Sequence, residues 1–518
     1  MKRPRLSLAL VKVVLLCLLD AAAIWGIILL GVRGSYALLA SLGIGTLLIN
    51  FVSFSKRAYP LRYLLPGLVF LFGMVVYPIV YTVYISTTNT QTGHILTRAQ
   101  VMEQLGQRTY APTEARTFSS AVYQDEDELL RVLLTGANGE LLLSEGDRFK
   151  DIEPDNPLLV RDDQGTIVAI GDFQLLNLGG LYSVLGQLET ELFAYGDTFL
   201  KVLSVREFTE VLPLYAFDET TGVLTNLETG VTYEHVEGTF TAPDGSVIEP
   251  GFRVSVGARN YTDILTDEGI RSDFLRVFTW TVLWSLFSVL FSFAIGLGVA
   301  MLLNDPYIHG RMFYRSIMII PYAIPAFISA LVWLGLFNTD AGAINRILID
   351  LFGSAAKVPW LQHPIWAKVM LIFVNTWMTF PYMMIISLGA LQSIPSGIYE
   401  AARIDGASGL QRFSRITMPL LLISVAPLLI GSFAFTFNNF TVVFLMTGGR
   451  PPVLDAATPA GATDILISWT YRIAFQGVRG NQLALASAIA VIIFVIIATI
   501  SAINFRFTKA LEDVHRGV

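Results

Sequence analysis

Eight apolar runs, each long enough to cross a lipid bilayer, constrain this chain more than any other feature. They lie at roughly 9–30, 36–54, 63–86, 275–303, 313–337, 365–391, 416–446 and 483–505. About 20 mostly apolar residues span the hydrocarbon core as a helix, and a helix satisfies its own backbone in lipid. The chain therefore reads as an α-helical polytopic membrane protein with about eight transmembrane helices. Composition agrees: 53% of the 518 residues are hydrophobic and 15% are charged, where soluble domains carry nearer about 25% charge. One polar stretch, Thr87 to Phe274, breaks the pattern. It contains Asp125-Glu126-Asp127-Glu128 and no run long enough to span. The expected division is three helices in 1–86, a soluble insert in 87–274, and a core of five helices in 275–518.

Basic residues in short loops set the orientation, because Lys and Arg accumulate on the cytoplasmic side. With the N-terminus inside, the inner segments hold Lys2, Arg3, Lys56, Arg57, Arg311, Arg315, Arg403, Arg412 and Arg415, and the short outer loops hold few cations. Both termini are then cytoplasmic and the insert is extracytoplasmic. The basic start followed by an apolar run from Leu6 to Leu30 reads as an uncleaved signal anchor. The single cysteine, Cys17, excludes an intrachain disulfide.

The insert carries strand and turn signals. Leu129 to Leu134 and Leu141 to Leu143 flank Gly136-Ala137-Asn138-Gly139, a hairpin turn. Phe240-Thr241 and Val247-Ile248 flank a second turn at Ala242 to Ser246. Helical pieces are expected at Thr97 to Leu105 and near Val205 to Val211, giving a β-rich or α+β domain. It lacks a metal-ligand cluster and a nucleophile motif, so a docking or gating module fits better than an enzyme. The whole chain also lacks a phosphate-binding loop, since no Gly precedes a Lys. If ATP drives this protein, another subunit binds it.

Three stretches concentrate the functional signal. The first lies at 393–415, between the sixth and seventh runs. Ser396 is suited to capping a helix, Glu400 complements the early dipole, Ala401 and Ala402 leave a shallow surface, Gly406 can end the helix with a left-handed turn, and Asp405 and Arg403 keep it in water. From chemistry alone this is either a helix gripped by a cytoplasmic partner or an ordinary interfacial helix. The second is Gly431 to Thr441 in the seventh run. There Ser432, Thr436 and Asn439 fall at i, i+4 and i+7 beside Phe435. Polar groups at membrane depth face the protein interior or a water-filled cavity. Amides and hydroxyls next to aromatic rings suit a sugar. Interhelical hydrogen bonding, worth about 0.6 kcal/mol per contact, explains one such residue well and the cluster less well. The third is Asn375 to Tyr382 in the sixth run, where Thr379 and Tyr382 sit beside Pro381. It reads equally as a locally opened path helix or as a structural kink. Pro321 to Pro325 in the fifth run reads as another kink, and Ala294 with Gly298 as a small-residue packing pair.

The loop Glu400-Ala401-Ala402 with Gly406, Ile416 and Pro419 resembles the EAA loop of ABC-importer permeases. The whole chain resembles the MalF-type permease of the maltose/maltodextrin ABC importer family. Lys56-Arg57-Ala58-Tyr59, Leu265 to Ile270, Ile320 to Pro325, Phe435 to Phe440, Thr458-Pro459-Ala460-Gly461 and Thr470 to Phe475 carry the resemblance, together with the long insert after the third span. It implies an ABC type I importer permease fold in the bacterial inner (cytoplasmic) membrane, with the insert in the periplasm. It implies no enzyme activity in this chain, with ATP and Mg held by a cytoplasmic ATPase dimer. The other implied partners are a second permease subunit and a periplasmic sugar-binding protein. Glu400, Ala401, Ala402, Asp405 and Gly406 would dock on the ATPase. Thr379, Tyr382, Ser432, Phe435, Thr436 and Asn439 would line the substrate path. Two positions depart from the maltose pattern: Thr379 replaces a glycine and Thr436 an asparagine. Maltose leads as substrate, with trehalose, a related disaccharide or a longer maltodextrin open. The alternative is a membrane insertase or assembly factor with a large periplasmic domain. It would want a polar or charged groove facing lipid, and no Arg or Lys is read inside a central span.

Overall fold

The computed structural model describes residues 5–32, 34–55, 58–196, 198–477 and 480–516. Lys2, Arg3, Lys56 and Arg57, used above for orientation and resemblance, lie outside them. Two compact units are present, one running to Tyr84 and the other from Ile85 onward.

The first unit holds α1 (Arg5–Val32), α2 (Tyr36–Phe54), α3 (Tyr59–Leu71) and most of α4 (Tyr77–Ser86). A π-helical turn at Phe72–Val76 joins α3 to α4. A hydrogen bond between polar side chains joins α1 to α2, from Asn50 Nδ2 to Asp20 Oδ1 at 2.7 Å.

The second unit begins with the insert. α5 (Arg98–Gly106) starts at a reciprocal cap in which Gln100 N donates to Thr97 and Thr97 N donates to Gln100. The strands follow as β1 (Thr109–Tyr110), β2 (Thr117–Gln124), β3 (Leu130–Gly136), β4 (Leu141–Glu145), β5 (Arg148–Ile152), β6 (Leu159–Arg161), β7 (Ile167–Ile170) and β8 (Phe173–Leu175). After α6 (Leu178–Leu188) come β9 (Phe193–Tyr195), β10 (Thr198–Ser204) and β11 (Glu207–Pro213). The order β2-β3-β4-β5-β9-β10-β11 closes on itself, because β11 also pairs with β2. Closure removes the free edges that would invite pairing with another chain. Leu134, Leu142, Phe149, Phe193, Leu200 and Phe208 fill its core, and Leu181 and Leu188 of α6 pack against them. A separate meander of β12 (Tyr215–Phe217), β13 (Leu224–Asn226), β14 (Thr232–Val236), β15 (Thr239–Thr241) and β16 (Val247–Ile248) packs on α5.

The insert is β-rich, as expected. Both expected hairpins form, β3–β4 and β15–β16. The expected helix at Thr97 to Leu105 is α5. The one expected near Val205 to Val211 is instead β11. Phe208 and Val211 are three apart, which imitates a helical face, but the β-branched Thr209 and Val211 favour a strand, and pairing with both β10 and β2 decides it.

The remaining helices are α7 (Arg259–Thr266), α8 (Glu268–Asn304), α9 (Arg311–Ala323), α10 (Ala326–Leu336), α11 (Ala343–Phe352), α12 (Pro364–Gln392), α13 (Ser396–Ile404), α14 (Gly409–Arg412), α15 (Met418–Phe437), α16 (Phe440–Met446), α17 (Leu466–Phe475) and α18 (Leu483–Arg516). Among the described residues of the whole chain, six helices are long and apolar enough to cross a membrane, or up to eight if each of two bent pairs is one span. The bent pairs involve α2 with α3, at 119°, and α9 with α10, at 88°.

α8 and α12 form the central pair. α8 is capped by Asp267, which accepts from Ile270 N at 2.8 Å. Its buried stripe runs through Thr281, Ser285, Ser288, Ser292, Gly296 and Ala300. Small residues there bring the two backbones together: a Cβ on Gly296 would lie 2.7 Å from Met384 N. The expected packing pair, Ala294 and Gly298, is on the exposed side instead, and Gly298 has nothing near its Cβ position. The period is right but the face is wrong, because apolar residues ring the whole helix and hide its small-residue face.

Candidate functional site

Where α8, α12 and α15 converge, with the α9–α10 bend beside them, a cavity of about 380 Å³ opens. Its wall holds Ser288 and Val289 from α8, Tyr322 from α9, Thr379, Tyr382 and Met383 from α12, and Pro427, Leu428, Gly431, Ser432, Phe435 and Thr436 from α15. None of these side chains is charged. The wall combines hydroxyls with aromatic rings, the mixture expected of a pocket that fixes a ligand through a few polar groups.

Five of the six expected path residues meet here: Thr379, Tyr382, Ser432, Phe435 and Thr436. Asn439 is not in the wall. α15 ends at Phe437, and Asn439 begins α16 by accepting from Val442 N. The single helical face expected to carry Ser432, Thr436 and Asn439 is therefore cut before Asn439. Its amide turns to α12 and donates to Asn375 Oδ1 at 3.3 Å.

Thr379 is held from two sides. Its hydroxyl donates to Asn375 O at 2.7 Å and lies 2.6 Å from Ser292 Oγ on α8. Such polar contacts between helices fix their rotation as well as their spacing. α12 continues through Pro381 as a helix, so of the two readings offered there, the locally opened helix does not form. The break belongs to the fifth run, at Ile324-Pro325, where the chain turns by 88°. That bend sets Tyr322 beside Tyr382, with ring centroids 6.0 Å apart and planes 25° from parallel. The sequence favours a kink over a ligand site in this stretch and does not single out Tyr322. The available signal was a tyrosine flanked by Pro321 and Pro325 at membrane depth.

The loop at 393–415 forms two short helices. α13 starts at Pro395, with Ser396 as its first helical residue and no side-chain cap, so Ser396 does not play the expected role. The C-terminal end does match expectation. Gly406 has φ +78°, its N–H reaches Arg403 O at 3.1 Å, and Ala407 N reaches Ala402 O at 2.9 Å. These two bonds are a Schellman closure, which needs the left-handed region that glycine enters freely. Ser408 then caps α14 through a reciprocal bond pair with Gln411. Glu400, Ala401, Asp405 and Gly406 are exposed and Ala402 half-buried. A π-helical turn at Phe413–Thr417 leads into α15, and Tyr399 Oη lies 3.1 Å from Thr417 Oγ1.

Two ion-bearing clusters support the core. Asp464, fully buried, accepts from Gly461 N, Ser468 Oγ and Arg472 Nη1 at 2.7–2.8 Å. Burial raises its carboxyl above the usual range, and Arg472 opposes that rise. Asp273 accepts from Thr458 N and Oγ1 at 2.9 and 2.7 Å, and Trp469 Nε1 donates to the same hydroxyl. Separately, Lys368 lies in the first turns of α12 with its ammonium 4.7 Å from the Trp280 ring centroid. This corrects the reading that no Arg or Lys lies inside a central span: Lys368 falls in the run 365–391, Arg276 in 275–303 and Arg315 in 313–337.

Two family models match the chain: "Binding-protein-dependent transport system inner membrane component" over residues 292–512, and "N-terminal of TM subunit in PBP-dependent ABC transporters" over 69–147. Curated relatives include maltose/maltodextrin transport system permease proteins MalF. That of Vibrio vulnificus is 37% identical over 94% of this chain and 92% of its own length. Those of Salmonella typhimurium and Escherichia coli are each 36% identical over 94% of both chains. Among solved structures, a chain of a bacterial alginate ABC transporter matches with a TM-score of 0.41 and 25% identity, covering 49% of this chain and 84% of that one.

Proposed function

The chain belongs to the MalF-type permeases, membrane subunits of binding-protein-dependent ABC importers, and from that membership we propose which of its residues carry sugar and which transmit motion. It is a transport subunit, and the ATPase of such importers is a separate polypeptide. The cargo proposed here is maltose, a maltodextrin or a related oligosaccharide. The cavity between α8, α12 and α15 is its midway station, lined by Thr379, Tyr382, Ser432, Phe435 and Thr436. One observation carries this: hydroxyls and aromatic rings from several different helices converge there without a charged side chain. A neutral sugar offers hydroxyls to the first and apolar ring faces to the second. Asn439 acts one step back, holding the α15–α16 break against Asn375 of α12.

Glu400, Ala401, Ala402, Asp405 and Gly406 form the proposed docking surface for a cytoplasmic ATPase dimer, which holds ATP and Mg. The other proposed partners are a second permease subunit and a periplasmic sugar-binding protein that touches the insert. The working division is 1–86, 87–274 and 275–518, in a bacterial inner membrane, with both termini cytoplasmic and the insert periplasmic. ATP-dependent states of the partners bias the permease only through differential affinity, about 1.4 kcal/mol for each tenfold shift.

Affinity purification of the full chain from its native membrane tests the reading. The expected companions are an ATPase with a phosphate-binding loop and a second permease with an EAA loop. The reconstituted assembly takes up maltose only with ATP. Sugar transport by the purified chain without any ATPase would overturn it.

A further inference from the structure

The insert is tied to a helix far from it in sequence. Its outgoing leg, Thr87 to Thr97, leaves α4 and meets the segment that starts α18. Thr92 N donates to Asn481 O at 2.9 Å, and Asn481 N donates back to Thr92 Oγ1 at 2.8 Å, across 389 residues. Close by, Ala484 N donates to Thr90 O at 2.8 Å. That N–H belongs to the first turn of α18 and has no acceptor within its own helix, so the leg caps the helix. A Cβ on Gly480 would lie 3.0 Å from Thr92 Cβ, which places the two segments in contact. The leg is fixed as firmly to the insert. Asn89 Oδ1 accepts from Val254 N at 2.8 Å, while its Nδ2 donates to Glu237 O in the β14–β15 turn at 2.7 Å and to Phe252 O at 3.2 Å. Asn260 Nδ2 of α7 donates to Ser86 O and Thr88 O, each at 2.8 Å. Deeper in the core α18 packs on α15, where Phe433 and Phe437 share an apolar cluster with Ile489 and Ile493.

Resting on the importer reading above, we propose that this leg is a strap through which the insert steers α18, and with it the α15 wall of the cavity, with Thr92 and Asn481 as its positioning residues. Covalent linkage alone delivers motion of the insert to α4 and α7. The strap adds a third point of delivery, the N-terminal end of α18. Asn89 grips the insert and Thr90, the next residue, grips α18, so almost no chain lies between the two attachments to absorb a displacement. A sugar-binding protein that displaces the insert therefore acts on α18 as well as on the two helices that flank the insert in sequence.

The test uses the assembled importer in proteoliposomes and reads the rise in ATP hydrolysis given by maltose-loaded binding protein. Thr92→Val keeps the shape of the side chain and loses the acceptor for Asn481 N. Stimulation falls about threefold, within the span of one hydrogen bond, while basal hydrolysis and affinity for the binding protein stay unchanged. Thr92→Ser keeps the acceptor and the wild-type stimulation. Thr92→Cys with Asn481→Cys, in a Cys17→Ser background that removes the single native thiol, makes the strap switchable: stimulation is low in the dithiol form and returns to wild type when a mild oxidant closes the disulfide. Full stimulation in Thr92→Val overturns the inference. So does a pair that fails to close, or one that closes and blocks stimulation, because the strap would then open during the cycle. Loss of affinity for the binding protein in step with stimulation also overturns it, since Thr92 would then serve docking. In each of these cases ATP-dependent maltose uptake by the wild-type assembly leaves the importer reading standing. A wild-type assembly that neither responds to the binding protein nor moves maltose overturns both.

Discussion

Replacing Gly406 isolates the proposed coupling helix from every other part of the fold. At φ +78° the residue lies in the left-handed region, and a Cβ built there meets nothing within 4 Å. Any penalty for Gly406→Ala is therefore backbone strain, with no steric clash added. The left-handed conformation costs an L-residue about 1–2 kcal/mol, and a β-branched residue more. Asn tolerates it best among the alternatives. Two hydrogen bonds depend on the conformation, Gly406 N to Arg403 O and Ala407 N to Ala402 O. A strain of 1–2 kcal/mol shifts the closed end of α13 toward fraying by about five- to thirtyfold. The exposed loop contributes no buried core, so folding and assembly survive. The expected order of damage is Asn, then Ala, then Val. The assay is the ratio of maltose transported to ATP hydrolysed in the reconstituted assembly. Gly406→Asn retains most of the coupling, Gly406→Val loses most of it, and Gly406→Ala falls between. Adding Glu400→Lys to Gly406→Asp uncouples hydrolysis from uptake altogether. Equal coupling in the Asn, Ala and Val variants would refute the argument, as would normal uptake by the double variant.

Three further expectations follow from the site and its supports. Thr379→Gly removes a methyl and a hydroxyl from the cavity wall at a cost of about 0.4 kcal/mol in helix propensity; competition uptake should show a shift in preference toward maltotriose over maltose. Asn439→Leu removes both the α16 cap and the bond to Asn375, so uptake slows and thermal stability drops by about 1 kcal/mol; Asn439→Ser keeps the cap, and a melting curve should show the stability recovered while uptake stays slow. Arg472→Met leaves the Asp464 carboxylate buried without its cation, a change that costs about 3–5 kcal/mol, and should lower the melting temperature of the assembly far more than Arg346→Met at an exposed position of α11.

Much of this architecture is legible before any coordinates, and the exceptions share a cause. The helical runs are long and chemically uniform, so their existence does not depend on tertiary detail. The hairpins at Gly136 to Gly139 and Ala242 to Ser246 are equally plain, because Gly139 and Gly245 take positive φ where turns require it. Failures arise where pattern alone is ambiguous. β11 spaces Phe208 and Val211 as a helix would. The face of α8 that approaches α12 is chosen by its neighbour, so Gly296 and Gly298 look alike in sequence. Helical phase also fails across a break: Asn439 shares a face with Ser432 only if α15 continues, and it stops at Phe437. Prolines mark possible breaks without saying which will be used. Pro381 stays inside α12, while Pro325 begins a new helix at 88° and so brings Tyr322 to the cavity.

The positions of those breaks bear on how a push at the 393–415 loop could reach the cavity. α13 follows α12 after only Ser393, Ile394 and Pro395, so displacing it bears directly on the end of α12. It also touches the foot of α15, through Tyr399 and Thr417. Tyr382 lies ten residues before Gln392, about 15 Å along the helix, and Ser432 lies fourteen after Met418, about 21 Å. Both distances run along helices that carry cavity residues, one of them held to α8 by the Thr379–Ser292 contact. A shift of α13 therefore bears on α12 and α15 together, and the close approach of α12 to α8 at Gly296 makes those two move as a pair. Rotation of α15 relative to the α8–α12 pair is the freedom that remains. It would open or close the wall at Ser432, Phe435 and Thr436 while Thr379 and Tyr382 stay fixed to α8.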